Sequence, residues 1–467
     1  MEEDKGKLNG KLTTSSGMLE KLRLQRQSAE ASRSQRTAER SVAPAISPQS
    51  FADLPEYKTI QMQKAVAKFA QVDNPFHRAH DTAAGAETII EGRKLINFAS
   101  YDYLGTNTHP QVRDAAKAAM DKFGISASAS RVVAGERPLH AELEQALATN
   151  YGVEAAACFV SGYLTNVTAI SCLMGPQDLI IHDEFIHNSA LTGAKLSGAK
   201  RLFFKHNDIT DLERILASAA GTYRRTLVIV EGLYSMDGDV ADLPAIIALK
   251  SRYPFWLMVD EAHALGVLGS KGRGIFEHYD VEPTTVDIWM GTLSKTSSSC
   301  GGYIAGSAAL VEILKTQAGG FVYSVGLAPP LAAAAIASLK IMRDEPERVD
   351  ALRRNGELFL KKARAAGLNI GTSEGYSVVP VIVGDSLRAV ELSNRLFRER
   401  LNALPIIHPA VPERLARIRF FVTSEHTKEQ IDHAVAATAR ILQQLVESKF
   451  GAEGLDVEQL QRLMSLG

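Results

Sequence analysis

Across residues 96–345, short apolar runs alternate with longer stretches in which apolar positions recur every three or four residues. The runs are AAACFV, DLIIH, KRLFF, TLVIVEG, WLMVDEA, DIWMGTLS and GGYIAG. Each is short, dense in apolar side chains and bounded by polar or glycine-bearing segments, as a strand buried on both faces is. Between them, PLHAELEQALATNY and DITDLERILASAAG carry helical spacing. Strands separated by helices need crossover connections, which predicts an α/β fold with a mostly parallel sheet. In such sheets ligands bind beyond the carboxyl ends of the strands. The residues that follow each run are therefore where chemistry is expected.

The texture changes on either side. Over 346–448 the pattern gives an amphipathic helix (RVDALRRNGELFLKKARAAGL), a strand (SVVPVIVGD), another helix (SLRAVELSNRLFRERL) and a closing strand and helix from LARIRFF onward. This predicts a smaller α+β domain after the large one. Residues 1–50 are polar, Arg/Ser-rich and nearly free of aromatics, a composition that cannot bury a core. They read as a solvated tail, with a docking element around Leu19, Leu22 and Leu24 as the alternative. Residues 51–95 read as an N-terminal arm and 449–467 as a C-terminal tail. No internal repeat is present.

Composition narrows the field. The chain has 467 residues, 45% of them hydrophobic, and a formal net charge of −1, so it carries no electrostatic footprint for nucleic acid. Cys158, Cys172 and Cys300 stand apart, without the spacing of a zinc site or a disulfide framework, so no metal is expected and a reducing compartment is. The opening MEEDKGKLNG lacks the pattern of a secretory signal, and LAPPLAAAAIASL is too short and proline-broken to span a bilayer. A cytoplasmic location is the expectation.

Two strand ends carry the strongest chemical signal. Asp260 closes the run WLMVD, with His263 three residues on, and a carboxylate leaving an apolar strand is costly to bury without a partner. Taken alone it would cap the next helix. Lys295, however, follows DIWMGTLS, so an amine and a carboxylate meet at one sheet edge. That pairing suits pyridoxal phosphate: the amine condenses with its aldehyde, and the carboxylate keeps its pyridine nitrogen protonated. Small residues around the lysine (Thr292, Ser294, Thr296, Gly301, Gly302) leave room for a bulky ligand against close-packed backbone. A phosphate needs anion-binding amides, and the strand–Gly162–helix start in ACFVSGYLTN offers them. Hydroxyls such as those of Thr292 and Ser294 also bond local backbone. His187 follows DLIIH, where a structural hydrogen bonder and a ring-stacking imidazole are both open. Glu231 and Ser235 follow TLVIV, where capping or turn roles are ordinary, and Asp237-Gly238 marks a turn.

The segments SGYLTN, DEFIHNSA, EGLYSMDGD, VDEAHALGVLGSKGRG and GTLSKTSSSCGGYIAG, in this order, resemble the α-oxoamine synthases over about residues 55–445. These are fold-type-I pyridoxal phosphate enzymes such as serine palmitoyltransferase, 5-aminolevulinate synthase, 8-amino-7-oxononanoate synthase and 2-amino-3-ketobutyrate CoA ligase. Tyr101 in NFASYDYLGTNTHP resembles the serine palmitoyltransferase branch. The resemblance implies fold type I, with a seven-stranded sheet in the large domain. It implies Lys295 as Schiff-base lysine, Asp260 as pyridinium partner, His263 on the ring's phenolic oxygen, and His187 stacked on the ring and holding the amino-acid carboxylate and the thioester carbonyl oxygen. Gly162, Tyr163 and Thr292 would hold the phosphate, and Ser235 would lie near the ring. Ser324, in FVYSVGLAPP, would reach the phosphate of a neighbouring subunit, which implies a homodimer with a shared site. The implied reaction condenses serine, alanine or glycine with an acyl thioester and releases carbon dioxide, leaving an α-amino ketone. Coenzyme A is the family's usual carrier; the long tail and IIHPAVPERLARIRF resemble polyketide-associated synthases supplied by a carrier protein. Tyr101 and His408 are expected at the substrate, His408 standing where many members have a carboxylate-binding arginine. Arg417 or Arg419 could supply that charge, and Arg419 reads as structural from the strand-like alternation. An aminotransferase on the same fold, or a silent partner subunit, are the alternatives; the presence of Lys295 speaks against the second.

Overall fold

The computed structural model describes residues 50–412 and 414–451. All but the last residue of the tail expected over 1–50, and most of that over 449–467, lie outside the described residues. The chain divides into a unit ending at Ala65 and one running from Val66 to Gly467. In the first, a 3₁₀ turn (Phe51–Asp53) capped by Ser50 leads into the helix Pro55–Phe69, which runs across the division.

In the second unit, a hairpin of β1 (Glu87–Ile90) and β2 (Arg93–Asn97) precedes the main sheet. The seven apolar runs then form β3 (Ala155–Phe159), β4 (Leu179–Asp183), β5 (Lys200–Phe204), β6 (Thr226–Glu231), β7 (Trp256–Asp260), β8 (Ile288–Thr292) and β9 (Gly302–Gly306). Their order is β3-β9-β8-β7-β6-β4-β5, with β9 antiparallel to both neighbours and every other pairing parallel. Six strands therefore end at one edge, and β9 begins there.

Period-two alternation explains the runs. Val228, Val230, Leu257, Val259 and Trp289 enter one core, while Leu227, Ile229, Met258, Ile288 and Met290 enter the other. The helix Gly162–Leu173 covers the second face with Ala169, Ile170 and Leu173, and Asn188–Ser197 adds Ala190 and Ala194. Glu231, Asp260 and Thr292 continue that second series, so all three belong to the helix-covered face.

Beyond residue 346, β10 (Val378–Gly384), β12 (Leu404–Ile406) and β13 (Ala416–Phe421) form an antiparallel sheet. The helices Glu347–Ala365, Ser386–Arg398 and Lys428–Glu447 share its core, through Phe359, Leu392, Leu396 and Ile431. The two-residue β11 (Leu401–Asn402) pairs instead with β2, in parallel. No described helix is long and apolar enough to cross a membrane. Among the described residues no cluster of metal-ligating side chains occurs, and the three cysteines are unpaired.

Candidate active site

A cavity of about 300 Å³ opens at the carboxyl ends of β3, β4, β6, β7 and β8. Its wall includes Gly162, Tyr163, His187, Ser235, Asp260, His263, Thr292 and Lys295. Eight sequence-expected residues thus meet in one place, although more than 130 positions separate the first from the last.

At one end the helix Gly162–Leu173 begins. Its N-cap Ser161 accepts from the Leu164 amide, while the first helical amides, those of Gly162 and Tyr163, have no partner within the helix. The Gly162 position tolerates no side chain: a Cβ there would lie 2.6 Å from Thr292 Oγ1. Gly301, at φ 116°, and Gly302 let β9 pass equally close, a Cβ on Gly302 falling 2.7 Å from Gly162 Cα. Thr292 Oγ1 donates to the Gly301 carbonyl at 3.0 Å and lies 2.8 Å from Ser294 Oγ. Its hydrogen is therefore committed to local backbone, so across the 2.8 Å contact the hydroxyl of the exposed Ser294 is the donor.

Asp260, 4% exposed, forms the floor. Its Oδ1 accepts from the Ala262 amide at 3.0 Å and its Oδ2 from Asn166 Nδ2 at 2.9 Å. Asn166 Nδ2 also donates to Ser189 Oγ at 2.9 Å, and Ser189 Oγ is 2.7 Å from His187 Nδ1. Because the Ser189 amide also donates to that Nδ1, at 3.3 Å, His187 carries its hydrogen on Nε2. Desolvation holds its imidazole below the usual range, with Asp260 opposing. His263 is buried, with Nδ1 2.7 Å from the Tyr103 hydroxyl. Burial, and then the charges of Lys295 and Arg419, keep it neutral.

Lys295 is half-buried in the loop after β8. Desolvation lowers its amine to about 8, against the pull of Asp260 and Glu231. The hydroxyl residues around it brace the loop. Thr296 Oγ1 donates to Leu265 O at 2.7 Å, and Thr106 Oγ1 donates to Thr296 O at 3.0 Å and meets Ser298 Oγ at 2.6 Å. Asp102 in turn accepts from the Thr106 amide. Lys295 Nζ stands 5.8 Å from the centroid of the Tyr101 ring.

The two arginines of β13 separate clearly. Arg417 is 4% exposed and tied up by Asp237 Oδ1 at 2.6 Å and Met236 O at 3.1 Å. Arg419, which the alternation had marked as structural, is half-buried, donates to Ser235 O at 2.7 Å and reaches the Tyr101 hydroxyl at 3.3 Å. It therefore belongs beside the cavity, and Arg417 is the structural one. His408 lies in the exposed turn after β12 and is not part of the cavity wall. Ser324 also lies outside this wall, between the exposed Tyr323 and Val325. Asn166, Ser189 and Tyr103 are additions to the expected set, and Glu231, expected in a capping or turn role, stands in the cavity wall. Asn166 is carried by the SGYLTN motif, and only the inward turn of its helix reveals it.

Comparison with known proteins agrees with this geometry. Residues 93–437 match the family described as aminotransferase class I and II. The 8-amino-7-oxononanoate synthase of Symbiobacterium thermophilum is 41% identical over 77% of this chain and 91% of its own length. That of Thermoanaerobacter pseudethanolicus is 39% identical over 78% and 92%. Among solved structures, a serine palmitoyltransferase variant from S. paucimobilis with a bound PLP–myriocin aldimine superposes with a TM-score of 0.81 at 26% identity, covering 85% of this chain and 99% of that one. Sphingomonas wittichii serine palmitoyltransferase gives 0.80 at 29% identity, covering 85% and 98%.

Proposed function

The chain belongs to the aminotransferase class I and II family and, within it, to the pyridoxal phosphate-dependent α-oxoamine synthases; on that footing we propose that it condenses serine, alanine or glycine with an acyl thioester, with loss of carbon dioxide. The observation that carries this reading is the convergence of Lys295 and Asp260 on one cavity whose far end is the start of a helix.

The residues present fit the cofactor. The space that Gly162 keeps clear, the free amides beside it and the neutral imidazoles form a cradle for a phosphorylated aromatic ring. Gly162, Tyr163 and Ser294, with Thr292 shaping the turn, would hold the phosphate. Asp260 would hold the pyridine nitrogen, its own orientation fixed by Asn166 and Ala262. His263 would meet the phenolic oxygen, His187 the ring face, and Ser235 the ring's edge. When bound, pyridoxal phosphate supplies an aldehyde for the amino group and a ring that accepts the electron pair left at Cα.

This chain's side chains do the rest. Lys295 Nζ, lowered to about 8, takes the Cα proton near neutral pH. Arg419 grips the amino-acid carboxylate, with the Tyr101 hydroxyl as its neighbour. His187 Nε2–H faces the acyl carbonyl oxygen and donates to it as charge develops.

The acyl group arrives on coenzyme A or on a carrier protein. The chain works as a homodimer, a reading supported by the exposed Tyr323 and Val325 that flank Ser324 and by the exposed Val132 and Val133 in the turn after Ser130, which bridges Val325. A cytoplasmic location suits three unpaired thiols.

Absorbance titration of the holoprotein and of Lys295→Ala with serine, alanine and glycine tests the reading. A cofactor band in the wild type that shifts with one amino acid, and is altered in the variant, supports it. A band indifferent to all three, or accumulation of an oxo acid from the amino acid without thioester, would favour an aminotransferase or a silent subunit instead.

A further inference from the structure

Glu231 closes β6 directly beside Asp260 on β7, the two residues paired in register. Both belong to the helix-covered face, so on strands about 4.8 Å apart their carboxyl groups stand side by side. They are 3% and 4% exposed. Their surroundings differ. Asp260 has donors on both oxygens. Glu231 has one, the Ser235 amide at 3.0 Å from Oε2, while Oε1 is buried without a partner in the cavity wall. A buried carboxylate oxygen with no donor is costly, whereas the same oxygen carrying a proton is a donor in need of an acceptor. Burial, then the charge of Asp260, raise the Glu231 acid to about 8; Asp183 adds to this, and the Ser235 amide and Lys295 oppose it. The wall also carries Lys295, Tyr163, Cys300, His187 and His263; desolvation pushes both imidazoles towards their neutral forms.

We propose that Glu231 is a further cofactor-contacting residue, a neutral carboxylic acid whose Oε1–H donates a hydrogen bond to the phenolic oxygen of the ring that Asp260 anchors. This rests on reading the cavity as the pyridoxal phosphate site. The phosphate cradle follows β3 and β8, to one side of Asp260, and Glu231 follows β6, on the other. In the cofactor, the phosphate arm and the phenolic oxygen flank the aldehyde carbon on opposite sides. A ring with its nitrogen on Asp260 and its arm towards Gly162 therefore turns the phenolic oxygen towards β6. There Glu231 shares its proton with that oxygen and gives none up, and so keeps a second negative charge away from Asp260.

Infrared difference spectra between apo- and holoprotein, and pH titration of the cofactor's visible band, test this in wild type, Glu231→Gln and Glu231→Ala. We expect the C=O stretch of a protonated carboxyl in the wild type and its loss in Glu231→Gln. The amide variant keeps a donor and retains cofactor affinity; Glu231→Ala loses about tenfold, and its visible band titrates at a shifted pH. Absence of the carboxyl signal in the wild type, its persistence in Glu231→Gln, or an unchanged titration in Glu231→Ala overturns the proposal. If Glu231→Ala does not fold, the infrared comparison with Glu231→Gln decides alone. Lys295→Ala separates the two readings: a cofactor still covalently trapped by borohydride in that variant sinks the site assignment, while silent Glu231 variants beside a confirmed Lys295 sink only this one.

Discussion

Arg419 and Tyr101, 318 positions apart, meet where the guanidinium Nη2 reaches the phenol oxygen at 3.3 Å. The same guanidinium is fixed by Ser235 O and covers the Phe421 ring, with 4.5 Å from Cζ to the centroid. An arginine so aimed is ready for a carboxylate. Arg419→Ala should raise KM for the amino acid by about 10–100-fold, the value of one charge-assisted contact, with little change in melting temperature. Arg417→Ala should do the reverse. It strands Asp237 and costs about 3–5 kcal/mol of stability with a smaller effect on KM. Steady-state kinetics and thermal melts on both variants decide, and an unmoved KM for Arg419→Ala would rule out the carboxylate role.

Lys295→Ala should cut turnover by about 10²–10⁴-fold, the usual contribution of a positioned acid–base group. Its melting temperature should stay near that of the wild type, since among the described residues no hydrogen bond depends on Nζ. A variant that retains ordinary turnover would remove the lysine from the chemistry.

Loading of the apoprotein should report the lowered lysine. Only the neutral amine attacks an aldehyde, and the neutral form grows as pH rises through the folded value of about 8. The rate of cofactor-band appearance should therefore climb with a midpoint near 8. An ordinary lysine would give about 10.4. Stopped-flow traces across pH distinguish the two.

His206 lies between Asp183 at 2.9 Å and Asp239 at 2.8 Å, clamping the segment that carries Ser235. Burial works against its charge, but the two hydrogen bonds outweigh that and raise it to about 10. A raised folded value stabilises fully below the unfolded pKa of about 6.5, and that stability is lost as pH climbs towards 10. Denaturant unfolding at several pH values should show this decline in the wild type, and a flatter profile in His206→Gln. Parallel profiles would mean that the clamp holds no proton.

If Ser324 serves the neighbouring subunit, lesions in Lys295 and Ser324 should complement. Lys295→Ala and a bulky Ser324→Trp, each inactive alone, would form a mixed dimer in which one site gathers both defects and the other is whole. Partial recovery on mixing, seen in an activity assay beside light scattering, is the expected result. No recovery from verified mixed dimers would confine Ser324 to its own chain.

The sheet was readable because its inner strands are buried on both faces, which leaves continuous apolar runs such as LVIV and LMV, whereas the edge strand β5 is largely exposed. Lys295 and Asp260 were readable for the same reason, as polar residues set at the ends of those runs. Other parts were hidden by physics rather than by noise. β1 and β2 carry charged residues at exposed positions, and β11 and β12 span two and three residues, too short for any period. Arg417 and Arg419 share a strand face, so alternation cannot say which one is neutralised; Asp237, brought in by a distant turn, decides that. Asn166 and Glu231 depend on which way a helix and a strand turn their polar residue, a matter of three-dimensional packing.

The pairing of β2 with β11 has a consequence for how the protein comes into being. Ile96 finds its partner Leu401 about 300 residues later. A ribosome adding about 5–20 residues per second leaves that strand without its neighbour for roughly 15–60 s. During that interval the β1–β2 hairpin is marginal on its own, and its Ile90 and Leu95 lack Phe397, the residue that completes their small cluster. The nascent chain therefore carries an open strand edge until it is almost finished, and its yield in a cell depends on what shelters that edge while it waits.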